Sequence, residues 1–407
     1  MKRIMILGAS ILQKPAIDKA REMGLEVVAV DMDQNAVGFR IADICLPIST
    51  IDIPNVVRAA KEYRVEGVMT LASDMPMRTV AAVASECGLV GIDMETAIRA
   101  TDKAVMRQCL KDHHVPVPKF FKVNARSEYD DAIRAFLARC IVKPTDNSGS
   151  RGVFLVENTL DGDAVDAAFR HSKEFSRGGD IIVEEYMEGP EVSVETISLG
   201  GVVHILQITD KLTTGAPYFV EMGHSQPTQL PREVAEDIAR VTVMAVKAIG
   251  IENGPSHTEI MATRDGAKVV ELGARLGGDC ITTHLVPLST GIDMVKCCIE
   301  IAMGKSVDIS KKFEKGSAIR YLDSYNGALA SIKGVAAARS SEGIVEVEIV
   351  RGKGDVVRDI RASSDRIGFV ISQGCNARDA VAKAERAKSL VKTEIVHRGC
   401  ECEYPAT

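Results

Sequence analysis

The sequence predicts an α/β protein built from more than one domain, and three observations lead there. Short apolar runs alternate with helical stretches through the first hundred residues. Beyond residue 101 the apolar runs are separated by Gly-, Pro- and Ser-containing turns. After residue 317 two more apolar runs precede an amphipathic helix. Alternating strands and helices imply a parallel sheet covered on both faces. At roughly 100–200 residues per domain, 407 residues make two to four domains.

Taken in order, Arg3–Leu7 is a short apolar strand. Pro15 sits where a helix begins, Ala16, Ile17, Ala20 and Met23 share one helical face, and Gly24 ends it. Leu25–Val30 is a strand closed by Asp31, Val56–Tyr63 a helix and Gly67–Leu71 a further strand. Thr101 or Asp102 caps a helix carrying Val105, Met106, Cys109 and Leu110. Val115-Pro116-Val117-Pro118 terminates it, because proline removes donors and restricts its predecessor. Cys140–Lys143, Ile181–Glu185, Glu191–Ser198 and Val202–Ile208 are strands. Residues 209–231 lack periodicity and are expected to form a long functional loop. Val234–Ile249 is helical, Lys268–Glu271 a strand, and the glycine-rich stretch Gly273–Asp279 follows. Residues 304–317 mark a boundary, beyond which Ile344–Ile349 and Gly368–Ser372 are strands and Ala377–Val391 a helix.

Composition removes several function classes. The apolar fraction is 46% and the charged fraction 26%, as in globular proteins. The net charge of −6, from 50 basic and 56 acidic residues, gives no overall field for nucleic acid. Aromatics are 4% with no Trp, which leaves few platforms for stacking bases. No uninterrupted apolar run reaches the roughly 18 residues of a membrane span. Lys2 and Arg3 precede Ile4–Leu7, but Gly8 interrupts that run early and no A-x-A site follows. The ten cysteines are scattered, with Cys297-Cys298 and Cys400-Glu401-Cys402 the closest pairs, so reduced thiols in a cytoplasmic protein are expected.

Two nucleotide motifs are incomplete. A dinucleotide fingerprint needs G-x-G-x-x-G after the first strand, and here Gly8, Ser10 and Gln13 occupy those places. Gly304-Lys305-Ser306 resembles the end of a phosphate loop, but Ile299 stands where its first glycine belongs.

The densest chemistry starts at Ile141-Val142-Lys143-Pro144, where a strand delivers a lysine just before Asp146-Asn147-Ser148-Gly149-Ser150-Arg151-Gly152. Small residues leave backbone N–H groups free to surround phosphate oxygens, although a Gly-Ser hairpin with no ligand would look the same. Next come Glu184-Glu185-Tyr186-Met187 and, after a turn, Glu191. These are either a solvated loop or an adenine edge reader followed by a ribose-binding carboxylate. Last, Glu259 and Glu271 flank a turn at Arg264-Asp265-Gly266, which sets them side by side if both point to one face. Opposed carboxylates repel, and a divalent cation such as Mg²⁺, shared with phosphate oxygens, reverses that sign. Alternation places Arg275 on the same face as Glu271, where it could meet developing negative charge.

In this order the pieces resemble the ATP-grasp superfamily, in its carboxylate–amine ligase branch near the amino-acid ligases and the carbamoyl-phosphate-synthetase-like proteins. The resemblance covers roughly residues 1–310. It implies an ATP-grasp fold with a Rossmann-like domain at 1–100, a small ATP-grasp subdomain at 101–187, a large one with the metal site at 188–310, and an accessory α+β domain at 311–407. It implies Lys103 and Lys143 on the ATP phosphates, with Lys143 catalytic as well, and Ser148, Gly149, Ser150 and Gly152 in a closing loop. Glu184, Glu185, Tyr186 and Met187 would bind adenine, partly through backbone groups, and Glu191 the ribose. Glu259 and Glu271 would hold about two Mg²⁺ ions, with Mn²⁺ an alternative, and Arg275 would stabilise an acyl-phosphate transition state. One departure stands out: many members have Asn two residues after the second metal Glu, and this chain has Gly273.

Substrate residues are less marked. Arg275, Gly277, Gly278 and Asp279 resemble the R-x-G-G stretch of amino-acid ligases. Lys211 and His224 lie in the expected loop, and Ser73 and Asp74 at the carboxyl end of a parallel strand, where ligands gather. His257 and His284 fit ordinary satisfied histidines. The expected activity is amide formation from a small carboxylate and an amine, through an acyl phosphate, with ADP and phosphate released and a homodimer as the family's frequent assembly. The alternatives are a purine-pathway enzyme acting on a phosphoribosyl amine, bicarbonate activation of the biotin-carboxylase or carbamoyl-phosphate-synthetase kind, and an ATP-binding or redox protein without ligase chemistry.

Overall fold

The computed structural model describes residues 2–147, 149 and 151–396. Its contacts divide the chain into two compact units: residues 1–210 with 227–314, and residues 211–226 with 315–407.

The first unit opens on a four-stranded parallel sheet. Its strands are β1 (Arg3–Leu7), β2 (Glu26–Val30), β3 (Ile44–Leu46) and β4 (Gly67–Met69), in the order β3-β2-β1-β4. Ile4, Ile6 and Met5, Leu7 are all fully buried, on opposite faces of β1. That is the pattern expected when helices cover both sides. Helices α1 (Lys14–Glu22), α2 (Ile53–Glu62), α3 (Met77–Cys87) and α4 (Met94–Thr101) follow, of which α3 and α4 lie in sequence left unassigned above. Asp31 takes the Ala9 N–H at 2.8 Å, so the carboxylate that closes the second strand anchors the first strand-to-helix turn.

Helix α5 (Lys103–Asp112) is capped by Asp102, whose carboxylate accepts from Ala104 N at 2.9 Å and Val105 N at 3.0 Å. The cap fixes Lys103 as the first helical residue. A four-stranded sheet follows, made of β5 (Phe120–Val123), β6 (Cys140–Pro144), β7 (Phe154–Val156) and β8 (Ile181–Glu185), in the order β5-β8-β6-β7. Helices α6 (Arg126–Arg134) and α7 (Gly162–Phe175) cover its apolar face through Tyr129, Ile133, Val165 and Ala168.

Long antiparallel strands complete this unit: β9 (Glu191–Leu199), the part of β10 (Val202–Thr213) up to Asp210, β12 (Gly254–Thr263) and β13 (Gly266–Gly273); β11 (Glu221–Gln226) lies in the second unit. Here β12 lies between β9 and β13, and β13 is the edge. Val192 and Val194 on β9 pack with Val241 and Ala245 of α8 (Arg232–Ile249) on one face. Ile197 packs with Val295 and Ile299 of α10 (Met294–Ala302), which follows α9 (Val286–Thr290), on the other.

The second unit contains β11 paired with β14 (Gly316–Tyr321), and adds β15 (Gly327–Lys333), α11 (Val335–Arg339), β16 (Ile344–Ile349), β17 (Val356–Val357), β18 (Gly368–Gly374), α12 (Ala377–Leu390) and β19 (Lys392–Val396). Ala380, Ala384 and Ala387 of α12 are fully buried, whereas Leu390, three residues on from Ala387, is 42% exposed at the helix end. The expected loop at 209–231 is about half strand: β10 runs to Thr213 and β11 occupies Glu221–Gln226, while residues 214–220 and 227–231 are irregular. Glycine, proline and polar residues hide the period, because β-structure here is set by pairing partners distant in sequence. The eight described cysteines are free, and among the described residues no helix is long and apolar enough to cross a membrane.

Candidate functional site

The chemistry gathers on one face of β9, β12 and β13. Cα pairing aligns Ser193, Glu259 and Glu271 in one row, and Glu195, His257 and Gly273 in a row two residues along. Glu259 therefore stands directly opposite Glu271, as the hairpin register requires. A bulge follows the pair, where Ile260 faces Val269 and Val270 is left over. Ser193 Oγ and Glu195 Oε2 are buried and have no hydrogen-bond partner among the described residues.

Three cations meet this face. Lys103 Nζ lies 2.7 Å from Glu271 Oε1 and donates to the Asn147 carbonyl at 2.7 Å. His257 sits with Nδ1 2.6 Å from Glu195 Oε1 and Nε2 3.6 Å from Glu259 Oε1. Burial alone would depress the His257 pKa, but the Glu195 carboxylate outweighs it and raises the group to about 9. Arg275 forks onto Asp74, Nε to Oδ1 at 2.8 Å and Nη2 to Oδ2 at 3.1 Å. Strand β13 stops at Gly273, so the Asp74 fork, and not strand alternation, sets where Arg275 points.

Lys143 and Glu184 form a second, deeper cluster. Lys143 Nζ is 2.6 Å from Glu184 Oε2, and Arg107 Nε is 2.6 Å from Glu184 Oε1. All three side chains are at least 90% buried. Desolvation would raise the Glu184 pKa, yet Arg107 and Lys143 pull it down to about 2. Desolvation lowers the Lys143 pKa, against the pull of Glu184. The Glu184 side chain is thus committed to two cations and is not turned outward as an adenine reader. Arg107 also donates from Nη2 to the carbonyl of Val270 at 2.6 Å, which satisfies the leftover bulge residue next to Glu271.

The neighbouring residues split by strand alternation. Glu185 points away from Glu184 and binds Lys268 Nζ at 3.0 Å and the Lys119 N–H at 3.1 Å. Tyr186 and Met187 are half-buried, with the Arg139 guanidinium 5.3 Å from the Tyr186 ring centre. Glu191 begins β9, where it pairs with Met261. Gly149 is exposed with φ +66°, and Gly152 is buried with φ +79°, its carbonyl accepting from Ser172 Oγ at 2.8 Å. Ser148 and Ser150 lie outside the described residues.

Ser73 and Asp74 follow β4, and Ala72 approaches Gly278 closely enough that a Cβ there would rest 3.7 Å from its Cβ. Gly277 packs against the Glu195–His257 pair; a Cβ there would lie 2.7 Å from His257 Nδ1. Asp279 has φ +50°, in the glycine-rich turn before α9. Lys211 and His224 belong to the second unit. There Lys211 Nζ is 4.0 Å from Glu221 Oε1, and the His224 carbonyl accepts from Arg320 Nη1 at 3.2 Å.

Arg107 and Glu195 are not singled out by sequence, and His257 reads there as an ordinary satisfied histidine. The first reads as an ordinary helix arginine, and the other two become a pair only across β9 and β12. The one available signal was that His257 and Glu259 share strand parity.

Among the described residues no group of three or more His, Cys, Asp and Glu is arranged to hold a metal. Two opposed carboxylates with an orphaned hydroxyl beside them fit Mg²⁺, which takes few protein oxygens and completes its shell with phosphate and water.

Comparison with known proteins converges on the same region. A family model described as an ATP-grasp domain matches residues 136–283, and one described as L-amino acid ligase C-terminal domain 2 matches 320–396. A phosphoribosylamine–glycine ligase from Methanocaldococcus jannaschii is 24% identical over 362 residues, 82% of this chain and 78% of that one. An L-arginine-specific L-amino acid ligase from Bacillus subtilis is 24% identical over 283 residues, 68% of each chain. The crystal structure of L-amino acid ligase from Bacillus licheniformis superposes with a TM-score of 0.84 at 21% identity, covering 98% of this chain and 99% of that one. The fold is the mixed α/β ATP-grasp fold. Enzymes with this fold use ATP and a divalent metal ion. A match to an ATP-grasp domain is thus followed by a match to an L-amino acid ligase carboxy-terminal domain, and the chain is similar to ATP-grasp carboxylate–amine ligases.

Proposed function

We propose that the protein joins a small carboxylate, an amino acid or a close relative, to an amine by way of an acyl phosphate, with release of ADP and phosphate. The observation that carries this reading is Glu259 opposite Glu271, with Lys103 brought against Glu271 from elsewhere in the chain and Arg275, just past the end of β13, within electrostatic reach of both. In this reading Lys103 and Lys143 hold the ATP phosphates, and the segment Ser148–Gly152 covers them. Backbone groups at Glu185–Met187 meet adenine, and Glu191 meets the ribose. Glu259 and Glu271 bind about two Mg²⁺ ions, with Mn²⁺ as a substitute. Bound metal supplies charge neutralisation at the transferring phosphoryl group. Arg275 faces the charge that develops there. Gly277 borders the same face, against Glu195 and His257, and with Gly278, Asp279 and Ser73 is assigned to the substrate. Exclusion of water by the covering segment protects the acyl phosphate from hydrolysis.

A phosphate-release screen with ATP, Mg²⁺ and pairs of amino acids, followed by mass spectrometry, tests this. ADP, phosphate and a dipeptide or amide are expected; AMP and pyrophosphate would replace the mechanism with acyl-adenylate chemistry. A second reading, glycine addition to a phosphoribosyl amine, draws support from the similarity spanning 82% of this chain. It requires that such an amine, and not free amino acids, stimulates ATP consumption.

A further inference from the structure

We propose that Asp74 is a positioning residue for Arg275, and that position 273 is glycine because the Asp74–Arg275 fork occupies the space a side chain there would need. The inference rests on the reading that Arg275 meets the developing phosphoryl charge.

The two residues are 201 positions apart and come from different sheets, Asp74 after β4 and Arg275 after β13. Their contact is bidentate, at 2.8 and 3.1 Å, and both side chains are more than 80% buried. A bidentate carboxylate fixes the plane and direction of a guanidinium, where a single contact would leave it free to swing. A third bond, from Nη1 to the Leu276 carbonyl at 3.2 Å, completes the hold. Of the five N–H groups of Arg275, one on each terminal nitrogen has no partner among the described residues. Glu271 and Glu259 are near enough to act on the same guanidinium. Those two N–H groups are the ones an incoming anion would use.

Gly273 supplies the independent observation. Its φ lies outside the left-handed region, so the backbone does not require glycine. Space does: a Cβ at 273 would lie 2.9 Å from Asp74 Oδ1 and 3.0 Å from Arg275 Nε. A side chain there would therefore push directly on the fork. The absence of one at this position and the presence of Asp74 are two parts of one arrangement.

A purely structural ion pair would affect stability and leave turnover of the folded enzyme unchanged, and that difference makes the test. Asp74→Asn, Arg275→Lys, the double variant and Gly273→Ala are compared with the wild type. The measurements are thermal melting, Mg-ADP affinity by calorimetry, and kcat and KM for ATP. Loss of one preorganised charge contact at a phosphoryl site corresponds to a fall of about 100-fold in kcat. Asp74→Asn is expected to show that fall with Mg-ADP affinity unchanged within about twofold, and the double variant to be no slower than Arg275→Lys. Gly273→Ala removes neither charge and is expected to lower kcat in the same direction, so it carries the test if Asp74→Asn does not fold. Unchanged kcat in folded Asp74→Asn or in folded Gly273→Ala, or additive losses in the double variant, would overturn the proposal. Failure of the wild type itself to bind Mg-ADP or consume ATP would instead overturn the ligase reading.

Discussion

Lys103 Nζ lies 2.7 Å from Glu271 Oε1, so the lysine assigned to phosphate and the carboxylate assigned to metal neutralise each other. Glu271→Gln keeps the shape and removes the charge. ATP turnover is expected to fall by at least about 100-fold. Because Lys103 keeps the Asn147 carbonyl, folding stability should change by no more than about 1 kcal/mol. Turnover at the wild-type rate, with ADP quantified directly, would sink the metal assignment.

Arg107 and Glu184 are 1% and 4% exposed, and Glu184 holds Lys143 as well. Arg107→Met leaves a buried carboxylate with one cation and an unsatisfied carbonyl at Val270. The expected loss is about 3–5 kcal/mol in urea unfolding. Breaking the exposed Arg126–Asp130 pair with Asp130→Ala should cost less than about 1 kcal/mol. Similar losses in the two variants would show that burial at Glu184 contributes nothing special.

The Glu184 and His257 shifts act at opposite ends of the pH scale. Glu184 is lowered from 4.5 to about 2, so its contribution is full above pH 4.5 and fades as pH falls towards 2. His257 is raised from 6.5 to about 9, so its contribution is full below pH 6.5 and is lost as pH rises through 9. Unfolding free energy measured from pH 6 to 10 should therefore decline across that window, and His257→Asn should flatten the decline. An equally steep slope in the variant would place the titration elsewhere.

Gly189 connects the segment assigned to adenine to Glu191. Its φ is +149°, and a Cβ there would lie 2.1 Å from the Ala262 carbonyl oxygen. Gly189→Ala must shift the turn or β12, and a loss of about 2 kcal/mol or more is expected from strain and displacement together. A melting temperature equal to the wild type would mean the turn relaxes freely.

Much of the framework was legible because local rules agree with the tertiary outcome. The β1–α1–β2 series, the Asp102 cap and the β12–β13 hairpin follow from apolar period, capping chemistry and a turn at Arg264-Asp265-Gly266. The parity of Glu259 and Glu271 about that turn brought them opposite each other. Strand β11 was not legible, since Glu221–Gln226 carries little apolar alternation and exists through pairing with β14, about 95 residues away.

The sequence by itself determined the order of the site: lysine, glycine-rich turn, acidic pair, Glu191, and the two carboxylates of a hairpin. Short-range rules suffice there, because strand period and turn length fix which side chains share a face. Only the tertiary structure decided which charges neutralise which. Arg107 with Glu184, His257 with Glu195 and Asp74 with Arg275 are separated by 77, 62 and 201 residues. Charge pairing in a buried site depends on distance and solvent exclusion, which chain separation does not encode.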